Sequence, residues 1–172
     1  MSHPAHQRVR RRGFRRDERG ATAVEFALVA PLLCFMLLSI VEIGMLAMMS
    51  SALDNSVIEV ARRIRTGRSD GPTSASTFED QVCTHLGGDW GNCHNRLVIS
   101  VQKYSKFFDA GGAAATQPDG SFNKGGPGDI IVVKANYTWQ LMSPFIATAF
   151  HRSGPMSITL GSRLAFKNEP FT

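Results

Sequence analysis

An apolar run near the N-terminus constrains this chain more than any other feature. Between Glu25 and Glu42 the sequence reads FALVAPLLCFMLLSIV, without a charged side chain. These acids lie 17 positions apart, which in a helix is about 25 Å at a rise of 1.5 Å per residue. With its flanks the segment reaches the thickness of a bilayer's hydrocarbon core, about 30 Å. We therefore expect one transmembrane helix over residues 21–49.

The excess positive charge of the chain precedes that run. Seven of the 19 lysines and arginines are arginines within residues 1–20, whereas the rest of the chain carries equal numbers of acidic and basic side chains. The positive-inside rule predicts a basic cytoplasmic leader over residues 1–20 and an extracytoplasmic domain over residues 50–172. Beyond the leader the chain has no net positive charge for the basic face that nucleic-acid binding requires.

An export signal is the alternative interpretation of the N-terminus. Residues 11–14 (RRGF) are similar to a twin-arginine signal, and residues 50–52 (SSA) form a weak cleavage site. A signal that ends at residues 50–52 would be unusually long, and the acids Asp17, Glu18 and Glu25 together with the long apolar core argue against a twin-arginine signal.

Beyond the apolar run, the helix is predicted to continue to about Arg65. Apolar side chains recur at steps of three and four residues, the spacing of one helix face: Leu46, Met49, Leu53, Val57, Val60 and Ile64. Gly67 follows a basic last turn, which is typical of a helix end. Another element has to cover this apolar stripe.

The remaining sequence predicts a small α+β domain. Ser76-x-x-Glu79 and Thr77-x-x-Asp80 are overlapping capping boxes, and they predict a short helix that ends at Gly87-Gly88. Alternating or β-branched runs predict strands over residues 97–104, 129–141 and 156–167. The glycine-rich residues 105–128 predict a mobile loop, and residues 144–151 one or two helical turns. The expected fold class is α+β, with the long N-terminal helix packed on a small antiparallel sheet.

The cysteines predict a disulfide. Cys34 lies inside the apolar run and is expected to act as a small apolar residue. Cys83 and Cys93 lie outside the membrane, where disulfides persist, and we expect them to be joined. A metal site from these two cysteines with His85 and His94 is the alternative, but the spacing matches no zinc motif.

The sequence carries no motif that predicts catalysis. GxSxG, HExxH and the P-loop are all missing from it. We therefore expect neither an enzymatic activity nor a cofactor or bound metal.

Glu25 is the most informative charged residue. A carboxylate deep in the bilayer costs about 2–3 kcal/mol, so its presence indicates a function. If the chain were cut after Gly20, Ala21 would carry a new ammonium group and Glu25 would be the fifth residue. Its carboxylate could then neutralise that ammonium or the one of a neighbouring subunit. Glu42 is expected near the far interface, where water can reach it.

Three segments resemble one protein family. Residues 18–31 (ERGATAVEFALVAP) strongly resemble TadE-like proteins of the tight-adherence (Flp) pilus system. Residues 40–44 (IVEIG), with Glu42 and Gly44, are similar to the second part of that family's motif, and residues 167–171 (KNEPF) are similar to its close.

The resemblance implies a pilin-like fold and a pseudopilin made as a prepilin in the bacterial inner membrane, with its C-terminal domain in the periplasm. It implies a membrane aspartyl peptidase that cuts between Gly20 and Ala21, a pilin motif at Glu25 and Phe26, and other pilins and pseudopilins as partners. Processed members carry Glu-Tyr, so Phe26 keeps the ring and loses the hydroxyl. The alternative is a membrane-tethered periplasmic binding or scaffold module that is neither processed nor polymerised.

Overall fold

The structure is a computed structural model that describes residues 20–88, 92–108, 118–143 and 156–170. Three helices and three strands are present in these ranges: α1 (Ala21–Arg65), α2 (Ala75–His85), α3 (Cys93–Arg96), β1 (Leu97–Tyr104), β2 (Ile130–Gln140) and β3 (Ser157–Lys167). The chain divides into two compact units, one up to Leu38 and one from Ser39 onward.

In the first unit, α1 is apolar on every face. Large side chains at half exposure or more include Val24, Phe26, Leu28, Leu32, Leu33, Met36, Leu37 and Leu38. A helix that is hydrophobic all round is stable in apolar surroundings. Among the described residues, α1 is the one helix long and apolar enough to cross a membrane.

In the second unit, a three-stranded antiparallel sheet covers the rest of α1. The strand order is β1-β2-β3, with Leu97 opposite Tyr137 and Ile130 opposite Lys167. The predicted stripe is the face that packs on the sheet: Leu46, Leu53, Val57, Val60 and Ile64 are buried, and Met49 is half-buried. The α+β fold class and the long N-terminal helix are confirmed.

The start of α2 differs from the prediction. Its N-cap is Ser74, whose Oγ accepts a hydrogen bond from Thr77 N at 3.1 Å, while Ser74 N donates to Thr77 Oγ1 at 3.0 Å. The capping boxes expected at Ser76 and Thr77 were wrong, because a threonine hydroxyl three residues after Ser74 provides the reciprocal bond that a glutamate usually provides. Glu79 is instead used elsewhere: its Oε1 accepts from Ile99 N of β1 at 3.1 Å.

The strand bounds agree with the prediction within one residue at each end. The short helix α3, which leads directly into β1, has no counterpart in the prediction because four residues are too few for a periodic signal. The turns expected over residues 144–151 lie outside the described residues, as does the middle of the loop expected over residues 105–128. Residues 121–123 of that loop pair with Val101, which covers the free edge of β1.

Candidate functional site

The proposed cleavage position is where α1 begins. Gly20 is exposed and immediately precedes the helix, which starts at Ala21. A Cβ atom added at Gly20 would meet nothing within 4 Å, and its backbone needs no positive φ. The described fold therefore requires no glycine at this position. A need for a small residue at position 20 would have to come from another molecule.

Glu25 lies one turn further along the same helix. Its side chain is exposed and has no hydrogen bond or ion pair among the described residues, while the neighbouring Phe26 is 72% exposed. The Glu25 carboxylate thus lies among apolar residues and has no intramolecular partner in the described ranges. A carboxylate in apolar surroundings gains strongly from an opposite charge, so this position is suited to pairing with a group of another molecule or with the chain's own processed N-terminus.

Glu42 has the opposite environment. It is only 2% exposed, so the expectation that water reaches it was wrong. Its two carboxylate oxygens accept hydrogen bonds from backbone N–H groups just after β2: Oε1 from Met142 N, and Oε2 from Ser143 N at 2.9 Å. The carboxylate thus fastens the end of β2 to α1 and satisfies two backbone donors there.

Gly44 is the second small residue of the sequence motif. A Cβ atom added there would also meet nothing within 4 Å. Glycine inside a helix costs about 1 kcal/mol relative to alanine, and no packing contact within the described residues accounts for that cost. The space above Gly44 is open to another molecule.

The two cysteines expected to pair do form a disulfide. Cys83 of α2 and Cys93 of α3 are both buried, and their Cα atoms lie 5.8 Å apart. The bond fixes α3, and with it the start of β1, against α2. Cys34 is a free cysteine on the exposed apolar part of α1.

The metal alternative loses its ligands in this arrangement. Both cysteine sulfurs are used in the disulfide, His94 Nδ1 lies 3.2 Å from Asp80 Oδ1, and His85 Nε2 lies 3.4 Å from Arg63 Nη2. Over the described ranges, no group of three or more histidine, cysteine or acidic side chains is arranged to hold a metal ion.

The C-terminal motif joins the far end of α1 to a glycine-rich loop. Asn168 is 3% exposed, and its Nδ2 donates to Lys124 O at 2.9 Å and to Gly126 O at 3.0 Å. The next residue, Glu169, donates its backbone N–H to Arg65 O at 2.9 Å and pairs with the Arg65 guanidinium at 3.0 Å. The residue pattern of this motif indicates no physical role, whereas in the structure it fastens the helix end to the loop.

Asp129 completes that fastening. Its Oδ2 accepts from Gly126 N at 2.7 Å and lies 2.9 Å from Lys103 Nζ. The backbone N–H of Gly126, and after it the hydrogen bond from Lys103, holds the pKa of this carboxyl below its ordinary value. Gly125 has φ of 61°, and a Cβ there would come within 2.9 Å of Asp129 Oδ2, so this turn requires a glycine.

Comparison with known proteins locates the resemblance in the N-terminal part of the chain. Residues 20–62 match the sequence model of the TadE-like protein family, which confirms the resemblance found in the sequence. The matched range begins at Gly20 and includes Glu25, Phe26, Glu42 and Gly44. No curated protein and no solved structure matches the chain.

Proposed function

We propose that the chain, whose residues 20–62 match the TadE-like family model, is a pseudopilin that acts in assembly of an adhesive tight-adherence pilus. It is made with a basic cytoplasmic leader, inserts α1 into the bacterial inner membrane and exposes its sheet to the periplasm. A membrane prepilin peptidase cuts it between Gly20 and Ala21. The protein has a structural role and is not an enzyme.

The observation that carries the proposal concerns Gly20, which the family match includes although the fold does not require it. The family match starts there, yet nothing in the described fold requires a glycine. A peptidase that accepts only a small residue before the bond supplies the missing requirement. Cutting there removes the leader and its formal charge of +5.

We also propose where the membrane-spanning part ends. Residues 21–41 form about 30 Å of helix, which matches the hydrocarbon core. From Glu42 onward the helix contacts its own domain: Glu42 binds the backbone after β2, and Leu46 packs with Leu141 and Ile158. These contacts favour an end near Glu42 rather than near Met49.

N-terminal sequencing of the protein from its native membranes tests the processing step. Mature protein should begin at Ala21. Gly20→Trp should leave the precursor uncut, whereas Gly20→Ala should be processed, and both variants should fold alike because Gly20 has open space around it. A native chain that retains its arginines would overturn the pseudopilin proposal and favour the unprocessed tether.

A fusion after Thr172 tests the orientation separately. Alkaline phosphatase joined there should be active, because the positive-inside rule puts the C-terminus in the periplasm. A fluorescent protein that is bright there, with an inactive phosphatase fusion, would reverse the proposed topology.

A further inference from the structure

An open apolar cavity of about 340 Å³ lies beside the second half of α1. Its helical wall consists of Met45, Met48, Met49 and Ala52, which follow one another at the spacing of a single helix face. Met48 is 76% exposed. Flexible methionine side chains around an exposed hollow are typical of a surface that binds an apolar partner.

The opposite wall adds aromatic rings and a positive charge. Tyr137 and Trp139 of β2 line the cavity. The chain has two tyrosines and two tryptophans, so one of each lies here. These two residue types concentrate at the headgroup level of bilayers. Arg96 also lines it; the residue is half-buried and has no ion pair within the described part of the chain. The cavity therefore combines an apolar surface with an unneutralised cation.

The position of the cavity along α1 also corresponds to the lipid headgroup layer. Met45 and Met48 follow Glu42 by three and six residues, which is about 5–9 Å along the helix. The polar layer of each leaflet is about 5–8 Å thick. With the hydrocarbon core ending near Glu42, the methionines lie among the lipid headgroups.

We propose that this cavity, the interfacial groove, binds one anionic phospholipid from the surrounding membrane. The first carbons of its acyl chains lie against the methionines and Trp139, and its phosphate pairs with Arg96. The disulfide contributes, because Cys93 lines the groove and begins the helix that ends at Arg96. This inference rests on the membrane anchoring in the proposed function and not on pilus assembly or processing.

Fluorescence quenching of Trp139 by brominated lipid tests the proposal. Trp90→Phe, at a position outside the described residues, leaves Trp139 as the single tryptophan. The full chain is placed in nanodiscs of phosphatidylcholine and phosphatidylglycerol in equal amounts, and the dibromo label is carried by one lipid or by the other. We expect stronger quenching when phosphatidylglycerol carries it, with a preference of roughly five-fold in occupancy from a single arginine.

Two substitutions separate the groove from bulk lipid. Arg96→Gln should abolish the difference between the two labels. Arg62→Gln removes an exposed arginine of α1 that does not line the groove, and it should leave the difference intact. Equal quenching by both labelled lipids in the unsubstituted groove, or a difference that survives Arg96→Gln, would overturn the proposal.

A photo-crosslinking amino acid at position 48 identifies the occupant in cells. A mass increase equal to one phospholipid is expected. A polypeptide adduct in place of the lipid would assign the groove to a protein partner and overturn the inference. If alkaline carbonate releases the chain from membranes, then the anchoring itself fails; retention in the membrane without a lipid adduct defeats only the groove proposal.

Discussion

The two halves of α1 differ in what surrounds them, although one continuous helix contains both. Up to Leu38 the helix is exposed on all faces and its acid, Glu25, has no partner among the described residues. From Ser39 onward an apolar stripe is buried under the sheet, and the acid Glu42 is fully engaged by two backbone N–H groups. The second half thus has a buried stripe and a partnered acid within its own chain, and the first half has neither among the described residues.

This difference separates two kinds of motif residue that look alike in the sequence. Glu25 and Glu42 lie at the two ends of the apolar run, yet only Glu42 contributes to folding of the described domain. Unsatisfied apolar surface and an unpartnered charge identify a region whose interactions are with other molecules. We therefore propose that the matched segment combines an association site at Glu25 with a folding site at Glu42.

The largest effect is expected from Glu25→Gln, which keeps the side-chain size and removes the charge. The carboxylate has no intramolecular partner in the described structure, so insertion, cleavage at Gly20 and folding should remain near normal. Under the proposed function, cross-linking to other pilins and pilus-dependent adherence should be lost, because the N-terminal ammonium that cleavage would create on a neighbouring subunit loses its counter-charge. Normal adherence with this variant would remove the proposed distinction between the two acids.

A matched pair of leucine substitutions compares the two halves directly. Leu53 is 1% exposed and packs in the main core, whereas Leu32 is 65% exposed. Leu53→Ala should lower the free energy of unfolding of the domain by about 2–5 kcal/mol, the usual cost of a large-to-small change in a core. Leu32→Ala should leave it within about 0.5 kcal/mol. Urea denaturation in micelles, followed by near-ultraviolet circular dichroism, measures both; similar losses would show that the halves fold as one.

Periodicity explains why the two halves could be distinguished in outline from the sequence. The apolar residues from Leu46 to Ile64 recur at helical steps and so predict both the helix and its buried face, and the strands follow from their β-branched runs. The partners of Glu42 could not be predicted, because they lie 100 and 101 residues away in the sequence. They are backbone groups, which leave no signal in the side-chain pattern. Ser74 was not predicted as the N-cap, because the acids three residues after Ser76 and Thr77 gave those two positions the stronger capping signal; only the hydrogen-bond geometry identifies Ser74.

Glu42→Gln is expected to have an intermediate effect. Glutamine keeps one acceptor oxygen, but its NH₂ group would face a backbone donor and leave one buried N–H unsatisfied. The free energy of unfolding should fall by about 1–3 kcal/mol, while the same measurement on Glu25→Gln should show no change. If Glu42→Gln leaves stability intact but abolishes assembly, then Glu42 belongs with Glu25 as an association residue.

The smallest effect is expected from lowering the pH, and it should be confined to the unit from Ser39 onward. Asp129 has a pKa below its ordinary value because Gly126 N and Lys103 donate to its carboxylate. A carboxyl with a lowered pKa in the folded state adds stability that is present above its unfolded pKa of about 3.9. That stability is lost as the pH falls through the lower folded value. The unfolding midpoint should therefore fall modestly between about pH 4 and pH 2.

Asp129→Asn should lower the midpoint at neutral pH and flatten the profile in that window. The helical signal of residues 20–38 should not change, since Asp129 and the groups that bind it all belong to the unit from Ser39 onward. A profile that is equally steep with Asp129→Asn would assign the acid sensitivity to another carboxyl.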